Sequence, residues 1–157
     1  MTMVHEYRSA ERAAEVARLR RLIALRAMVS DGMTQRQIAT ALGISQSAVS
    51  QQLSAGEVLR KAHPELLLEA AVPVLKSVAE SQGYTGLAVF GSVARGTADR
   101  RSDIDLLVEA PMGTSSFSFM RFKLEIEQIL GREIDLVSTA ALQPGLDADI
   151  QRDAVLL

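Results

Sequence analysis

Apolar positions in the first thirty residues recur at intervals of three and four. The stripe consists of Val16, Leu19, Ile23 and Ala27. This spacing places the four side chains on one face of an α-helix. We therefore predict an amphipathic helix from about Glu6 to Ser30, which Gly32 ends.

Two shorter helices follow in the pattern. Thr34, with Gln37 three residues later, is the signature of a capping box at the start of the first of them. Gly43 supplies a tight turn, and Ser45 caps a second helix that runs to about Ser54. The residues expected in the core of this helical pair are Ile38, Leu42, Ile44, Val49 and Leu53.

From residue 64 onward, helical stripes alternate with short apolar runs of strand length. Pro64 suits the first turn of a helix that Gly83 ends, and Pro73 predicts a kink or a break near Val72. The pattern then predicts strand 85–90, a loop over 91–102, strand 103–109, helix 115–130, strand 133–138 and a short C-terminal helix. The fold class is α+β, an all-α N-terminal domain followed by a short mixed sheet flanked by helices.

The long helix of this second part carries most of the predicted core. Its side chains expected to face the sheet are Phe122, Ile126, Ile129 and Leu130. The cluster of Phe117, Phe119 and Met120 is also expected in the core.

The amino-acid composition limits the cellular compartment and the kinds of chemistry that are compatible with the chain. Of the 157 residues 48% are hydrophobic, but only 4% are aromatic, so aliphatic side chains provide most of the packing. The chain has no cysteine, which excludes disulfides and thiol chemistry. No apolar run approaches the roughly 20 residues of a membrane span, and the N-terminal residues lack an apolar signal core. We expect a cytoplasmic protein without membrane contact.

The net charge of -2 is unevenly distributed. Residues 1–62 carry nine Lys and Arg against five Asp and Glu, a net +4, whereas residues 63–157 carry eight against fourteen, a net -6. A basic part and an acidic part indicate two modules with different partners. We therefore predict two domains, 1–62 and 63–157.

The acidic part contains a pair of carboxylates close to a small-residue turn. Gly91 and Ser92 form the turn, and Asp103 and Asp105 stand one residue apart at the start of a strand. Because side chains alternate along a strand, both carboxylates project from one face and Ile104 from the other. Carboxylate oxygens beside a turn with free N–H groups suit a Mg²⁺–triphosphate complex.

Asp135 adds a third carboxylate. It stands between Ile134 and Leu136, two apolar residues that should face the core from another strand. Three carboxylates on neighbouring strands can hold two metal ions that clamp the attacking and leaving oxygens of an in-line phosphoryl displacement. The candidate catalytic and metal-binding residues are therefore Asp103, Asp105 and Asp135.

The order G-S-x-x-R-G, S-D-x-D-L and a later aspartate resembles the minimal nucleotidyltransferases of the polymerase-beta superfamily. The matching residues are Gly91, Ser92, Arg95, Gly96, Ser102, Asp103, Asp105 and Asp135. The resemblance implies a polymerase-beta-like fold, two Mg²⁺ ions as cofactor and ATP as substrate. It assigns nucleotide binding to Gly91, Ser92, Arg95 and Ser102, and it implies that Asp135 helps to deprotonate the attacking hydroxyl.

Residues 34–54 resemble a helix-turn-helix of the Cro and phage-repressor kind. Ala39 lets the two helices approach, Gly43 makes the turn and Val49 is buried against the first helix. The second helix then exposes polar side chains that can bond base edges or phosphates. The candidate DNA-binding residues are Arg36, Ser45, Gln46, Ser47, Ser50 and Gln51. The alternative is a helical bundle that only docks or dimerises; reading an operator would require a homodimer or a larger complex.

The C-terminal domain is large enough to seat a nucleotide with its metals, but too small to enclose a small acceptor as well. A macromolecular acceptor is therefore favoured. The chain resembles the antitoxin halves of HEPN–MNT toxin–antitoxin pairs, which implies a hetero-oligomer, transfer of AMP to a tyrosine of a HEPN ribonuclease, and repression of its own operon. Two alternatives stay open: a non-catalytic DNA-binding antitoxin or repressor that uses the fold as a docking scaffold, and a small-molecule nucleotidyltransferase of the aminoglycoside type.

Overall fold

The computed structural model describes residues 2–157. The helices are α1 Met3–Ser30, α2 Gln35–Leu42, α3 Gln46–Leu53, α4 Gly56–Lys61, α5 Pro64–Ser81, α6 Gly91–Arg95, α7 Ser116–Leu130 and α8 Ala148–Asp153, with a 3₁₀ turn at Thr139–Ala141. The strands are β1 Thr85–Phe90, β2 Ile104–Glu109, β3 Ile134–Ser138 and β4 Val155–Leu156. Among the described residues, no helix combines the length and the apolar character that crossing a membrane requires.

The predicted caps of α2 and α3 are confirmed, whereas α1 begins at Met3, three residues before the predicted Glu6. Thr34 Oγ1 accepts a hydrogen bond from the Gln37 N–H at 3.2 Å, and Gln37 Oε1 accepts one from the Thr34 N–H at 2.9 Å. Gly43 ends α2 in the left-handed conformation, at φ 69°. Ser45 caps α3 by accepting a hydrogen bond from the Ala48 N–H.

Two residues predicted for the core of this helical unit lie at the surface instead. Leu42 is 46% exposed and Ile44 is 38% exposed. The cluster that fills the core consists of Leu25, Ile38, Ala39 and Val49, with Met28, Met33 and Leu53 packed against it. Because α1 supplies part of this core, the residues beside the turn at Gly43 are not needed to close it.

Of the kink or break predicted near Val72, the break was wrong, since α5 runs unbroken from Pro64 to Ser81. Pro73 lies on the exposed side of the helix, while its neighbours Ala71 and Leu75 are buried. Proline has no N–H to donate to the Glu69 carbonyl, but this carbonyl accepts a hydrogen bond from Arg20 Nη2 at 3.2 Å instead, and the buried neighbours keep the helix in place. The N-terminus of α5 is capped by His63, whose Nδ1 accepts a hydrogen bond from the Glu65 N–H.

The four strands form a mixed sheet in the order β3-β2-β1-β4. β1 is antiparallel to both β2 and β4, whereas β2 and β3 are parallel. One face of the sheet packs on α5 and α7, and the opposite face carries a smaller cluster that includes Ala88, Phe90 and Leu107. The predicted α+β class with a short mixed sheet is confirmed.

Two of the three residues predicted as a core cluster on α7 lie on its outer, solvent-exposed face. Phe117 is 73% exposed and Met120 is 49% exposed, whereas only Phe119 of that cluster packs against the core. The inner face of α7 is filled by Phe122, Ile126, Ile129 and Leu130, as predicted. Phe117 and Met120 lie on the opposite side of the helix from these four residues.

Four short elements escaped prediction. α4 has six residues, α6 has five, the 3₁₀ turn has three and β4 has two. Segments this short contain fewer than two full periods of a helical or strand pattern, so hydrophobic periodicity cannot reveal them.

The main hydrophobic core crosses residue 62. Its members from the N-terminal side are Val16, Leu19, Leu22, Ile23 and Leu59, and they share one cluster with the sheet. Arg20 Nε donates to the Ala70 carbonyl at 3.0 Å, and Arg26 Nε donates to the Gln128 carbonyl at 2.8 Å. The helical unit is therefore packed onto the sheet unit, and the domain boundary between 62 and 63 stays a prediction from charge.

Candidate active site

Asp105 and Asp135 lie side by side on neighbouring parallel strands. They are register partners between β2 and β3, as are Ile104 and Ile134 before them. The two isoleucines are buried in the core, while Asp135 is exposed and Asp105 is partly exposed. The alternation inferred from the sequence therefore brings these two acids together on one face of the sheet.

Asp103 directly precedes β2 and reaches the same region. It lines a cavity of about 290 Å³ together with Asp135, and the remaining lining residues are Lys123, Glu127, Glu133 and Ile134. The cavity lies at the side of β3, the edge strand of the sheet. The three predicted acids are thus neighbours, and two of them open directly into a cavity.

Gly91 lies directly against the Asp105 carboxylate. This residue follows Phe90, the register partner of Asp105 on β1, and begins α6. Its φ is +70°, and a Cβ placed there would lie 2.1 Å from Asp105 Oδ2. Glycine is therefore required at this turn, both for its backbone conformation and for the space that the carboxylate occupies.

The Asp105 carboxyl has a pKa of about 6, raised from the ordinary value of 3.8. Burial is the main cause, followed by a hydrogen bond with Asp135 and by repulsion from Asp135 and Asp103. The positive charge of Arg95 opposes these effects. At neutral pH the site therefore holds negative charges that repel one another and that a cation would stabilise.

The donor set fits a magnesium ion. Carboxylate oxygens are the hard ligands that Mg²⁺ prefers, and Asp103, Asp105 and Asp135 offer them from adjacent backbone segments. Within residues 2–157, no three Asp, Glu or His side chains already surround a common point. Asp103 and Asp135 are exposed and Asp105 is partly exposed, so all three carboxylates are accessible to an ion.

Arg95 and Ser102, which the sequence assigns to nucleotide binding, form hydrogen bonds within the protein. Arg95 Nη1 forms an ion pair with Asp153 Oδ2 of α8 at 2.8 Å, and this hydrogen bond is the main reason why the pKa of Asp153 is lowered. Ser102 Oγ accepts a hydrogen bond from the Asp99 N–H at 2.8 Å and so closes the loop in front of Asp103. Their assignment to nucleotide binding stays a prediction, as does that of Ser92.

Sequence reasoning missed two residues that hold the site together. Glu127 Oε2 accepts a hydrogen bond from the Ile134 N–H at 3.0 Å, one residue before Asp135. Arg132 Nη2 donates to the Ser102 carbonyl at 3.2 Å, one residue before Asp103. Both residues belong to other segments than the acids they support, and no spacing in the sequence reveals such contacts.

The polar face of α3 is open to solvent. Each residue assigned to DNA binding is exposed: Arg36, Ser45, Gln46, Ser47, Ser50 and Gln51. The hydroxyls of Ser45 and Ser47 lie 3.1 Å apart within hydrogen-bonding distance, so part of their capacity is used locally. Among the residues assigned to DNA binding, the α3 side chains with the longest polar reach are those of Gln46 and Gln51.

The raised pKa of Asp105 predicts a stability gain in the variant Asp105→Asn. Between about pH 4 and pH 6 the folded protein holds a proton that the unfolded chain has released, so the stability of the metal-free protein falls as the pH rises through this window. We expect Asp105→Asn to raise the free energy of unfolding at pH 7 by about 1 kcal/mol, after allowance for the partial exposure of the side chain. Urea unfolding in EDTA at pH 4 and pH 7 measures the effect.

The matched control is Glu109→Gln, which neutralises an exposed acid at the other end of β2. It should leave the unfolding free energy unchanged at both pH values. Equal stability of Asp105→Asn and the wild type at pH 7 would contradict the expected repulsion.

Comparisons with known proteins agree with this geometry. Residues 73–157 match the family model of the nucleotidyltransferase domain, and residues 19–62 match that of the bacterial regulatory protein arsR family. The predicted helix-turn-helix is thereby confirmed, and the family matched is arsR, whereas the sequence pattern resembled Cro.

Two relatives and one solved structure each match about half of this chain. Protein adenylyltransferase MntA of Thermococcus cleftensis is 34% identical over 80 residues, which are 51% of this chain and 81% of that protein. A proposed protein adenylyltransferase of Methanocaldococcus jannaschii is 38% identical over 73 residues, 46% of this chain and 78% of that protein. The solved structure of a proposed minimal nucleotidyltransferase superposes with a TM-score of 0.53 at 38% identity, covering 59% of this chain and 95% of that one.

Proposed function

This chain belongs to the nucleotidyltransferase domain family, and from that premise we propose that it is a Mg²⁺-dependent protein adenylyltransferase. It would transfer AMP from ATP to a hydroxyl group of a partner protein. The observation that supports this most directly is the pairing of Asp105 with Asp135 on adjacent strands, with Gly91 in contact with Asp105. Relatives that carry the name protein adenylyltransferase support the same proposal.

The order of the strands suggests how the reactants would be arranged. The Gly91 turn lies on the β1 side of Asp105, and Asp135 lies on the opposite side, at the edge of the sheet. An in-line displacement needs the leaving group and the nucleophile on opposite sides of the phosphorus atom. The departing phosphates would therefore lie toward Gly91 and Ser92, and the acceptor would approach from Asp135.

Each acid then has a role that its position supports. Asp103, Asp105 and Asp135 would hold Mg²⁺, which supplies charge stabilisation for the triphosphate. Asp135 would accept the proton of the acceptor hydroxyl while the hydroxyl oxygen forms its bond to the α-phosphorus. The bond from the α-phosphorus to the bridging oxygen breaks in the same displacement, and pyrophosphate leaves.

The acceptor would be a protein, and we favour a tyrosine of a HEPN-type toxin, for which this chain would act as antitoxin in a hetero-oligomer. The cavity beside Asp103 and Asp135 measures only about 290 Å³ and lies at the open edge of the sheet. Such a cavity suits one side chain presented by a larger partner better than a whole small-molecule acceptor.

The test is incubation with labelled ATP, Mg²⁺ and the product of the neighbouring gene. Label in the α-phosphate is expected to appear on the partner protein, whereas label in the γ-phosphate is not, because pyrophosphate carries it away. Absence of α-label on the partner would defeat the proposal. Label on an aminoglycoside without any protein acceptor would favour the small-molecule alternative.

We propose that the helical unit also binds DNA, as a homodimer on the operator of its own operon. The arsR-family match, the net +4 charge of residues 1–62 and the exposed polar face of α3 support this function. Arg36 would contact phosphate, and Gln51 would read base edges.

Two variants separate these contacts. Arg36→Ala should weaken binding to all DNA sequences and reduce the slope of log K against log salt concentration by about 1. Gln51→Ala should reduce the binding free energy by about 1–3 kcal/mol, and only on the operator sequence. Titrations of operator and scrambled DNA at several salt concentrations measure both effects. Arg121→Ala on α7 serves as the exposed control, and equal binding by all three variants would contradict the assignment.

A further inference from the structure

Arg132 joins three segments of the chain at the candidate active site. It follows Gly131 in the turn between α7 and β3, and its guanidinium is half-buried. Nη1 donates to the Ala62 carbonyl at 3.0 Å, and Nη2 donates to the Ser102 carbonyl at 3.2 Å. One side chain thus bonds the segment after α4 and the loop in front of β2 at the same time.

The bond to Ser102 acts next to a predicted metal ligand, since Asp103 is the following residue. The loop in front of Asp103 is exposed and is otherwise closed by its own short-range bonds, such as that from the Arg101 N–H to Asp99 Oδ1 at 2.8 Å. These bonds fix the shape of the loop but not its position on the sheet. Arg132 supplies the bond from this loop to another part of the fold.

The charge of Arg132 also suits its position. Burial lowers the pKa of the guanidinium, and the neighbouring Asp103 opposes that shift. An arginine stays protonated under such conditions, so Arg132 places a fixed positive charge near Asp103. The same side chain therefore supports the acid by position and by charge.

The bond to Ala62 belongs to a packed joint with the helical unit. A Cβ placed on Gly131 would lie 3.3 Å from Leu59 Cβ of α4, and Leu59 is fully buried. Arg26 of α1 donates to the Gln128 carbonyl in the last turns of α7. The turn that carries Arg132 is therefore held against the helix-turn-helix unit.

We propose that Arg132 is a positioning residue for nucleotidyl transfer, which anchors the backbone in front of Asp103 to the end of the helix-turn-helix unit. The proposal rests on the function proposed above. Arg132 acts through Asp103, and a shift at Ala62 would be transmitted to the catalytic acid along this connection.

Arg132→Ala and Arg132→Lys test the proposal, with Arg20→Ala as the matched control. Arg20 also donates to two backbone carbonyls, those of Ala70 and Glu69, but it does so away from the acids. Arg132→Ala should lower kcat by about 10- to 100-fold with little change in KM for ATP, because a misplaced catalytic group costs rate more than binding. Arg132→Lys, which keeps the charge but cannot span both carbonyls, should recover only part of kcat. Arg20→Ala should retain the wild-type kcat.

Hydrogen exchange on the metal-free protein decides the anchoring role without any acceptor. The Ser102 and Arg101 amides should exchange at least about tenfold faster in Arg132→Ala than in the wild type or Arg20→Ala, because their loop loses its anchor. Unchanged exchange at these amides, or equal acceleration by Arg20→Ala, would overturn the proposal. If the wild type fails to label any acceptor, the proposed function fails, and the exchange result still decides whether Arg132 anchors the loop.

Discussion

Transfer of α-labelled AMP to the partner protein is expected to fall on the order of 10³-fold in Asp103→Ala and in Asp105→Ala. Each substitution removes a proposed metal ligand from a site whose acids lie on, or directly before, the adjacent strands β2 and β3. The two variants should differ in stability, because removing Asp105 relieves both its burial and its repulsion, whereas removing the exposed Asp103 in front of the strand relieves only part of that repulsion. Loss of transfer in a folded and more stable variant would separate a catalytic role from a structural one.

The control for this loss is Glu109→Ala, which removes an acid from the far end of the same strand. It should transfer AMP at the wild-type rate. Neutralisation of the partner toxin is the second readout, since a docking scaffold would neutralise it as Asp103→Ala just as well. Wild-type transfer by Asp103→Ala, or full neutralisation without transfer, would contradict the enzymatic mechanism.

The acids were predictable because their positions follow from local rules. Alternation along a strand puts Ile104 in the core and leaves Asp105 on the other face, and the same rule applies to Ile134 and Asp135. The sequence pattern could not say that β2 and β3 are neighbours in register. That pairing depends on how the whole sheet assembles around α7.

Core residues were predicted wrongly where two apolar positions fit the local pattern equally well and only the tertiary fold decides which of them is buried. Phe117 and Met120 have the apolar character of core residues, but α7 already has a filled inner face. Leu42 likewise continues the spacing of Ile38, yet α1 closes that small core from another part of the chain. Arg132 illustrates the same limit for the site, because its two acceptor carbonyls lie 70 and 30 residues away in sequence.

These contacts also show that the two units of the chain are physically linked. The helix-turn-helix unit supplies α4 and Ala62 to the joint that holds the loop before Asp103. Binding of one unit to its partner can change the other only if the two states of the protein differ at such a joint. We therefore expect any coupling between DNA binding and AMP transfer to pass through the turn at 131–133.

Gly91→Ala should reduce AMP transfer by at least about 100-fold, an effect that one methyl group seldom has. The added Cβ would lie 2.1 Å from Asp105 Oδ2, so either the turn or the carboxylate must move. Movement of the turn displaces the N–H groups proposed for the phosphates, and movement of the carboxylate displaces a proposed metal ligand. Transfer rates and binding of a fluorescent ATP analogue measure the two consequences.

Gly113→Ala is the matched control for backbone strain. Gly113 has a φ of +85°, and a Cβ placed there meets no atom within 4 Å. Both substitutions therefore carry the cost of a left-handed alanine, about 1 kcal/mol, but only Gly91→Ala collides with an acid of the site. Equal transfer rates in the two variants would mean that the contact between Gly91 and Asp105 has no part in catalysis, and the nucleotide would then have to be held elsewhere.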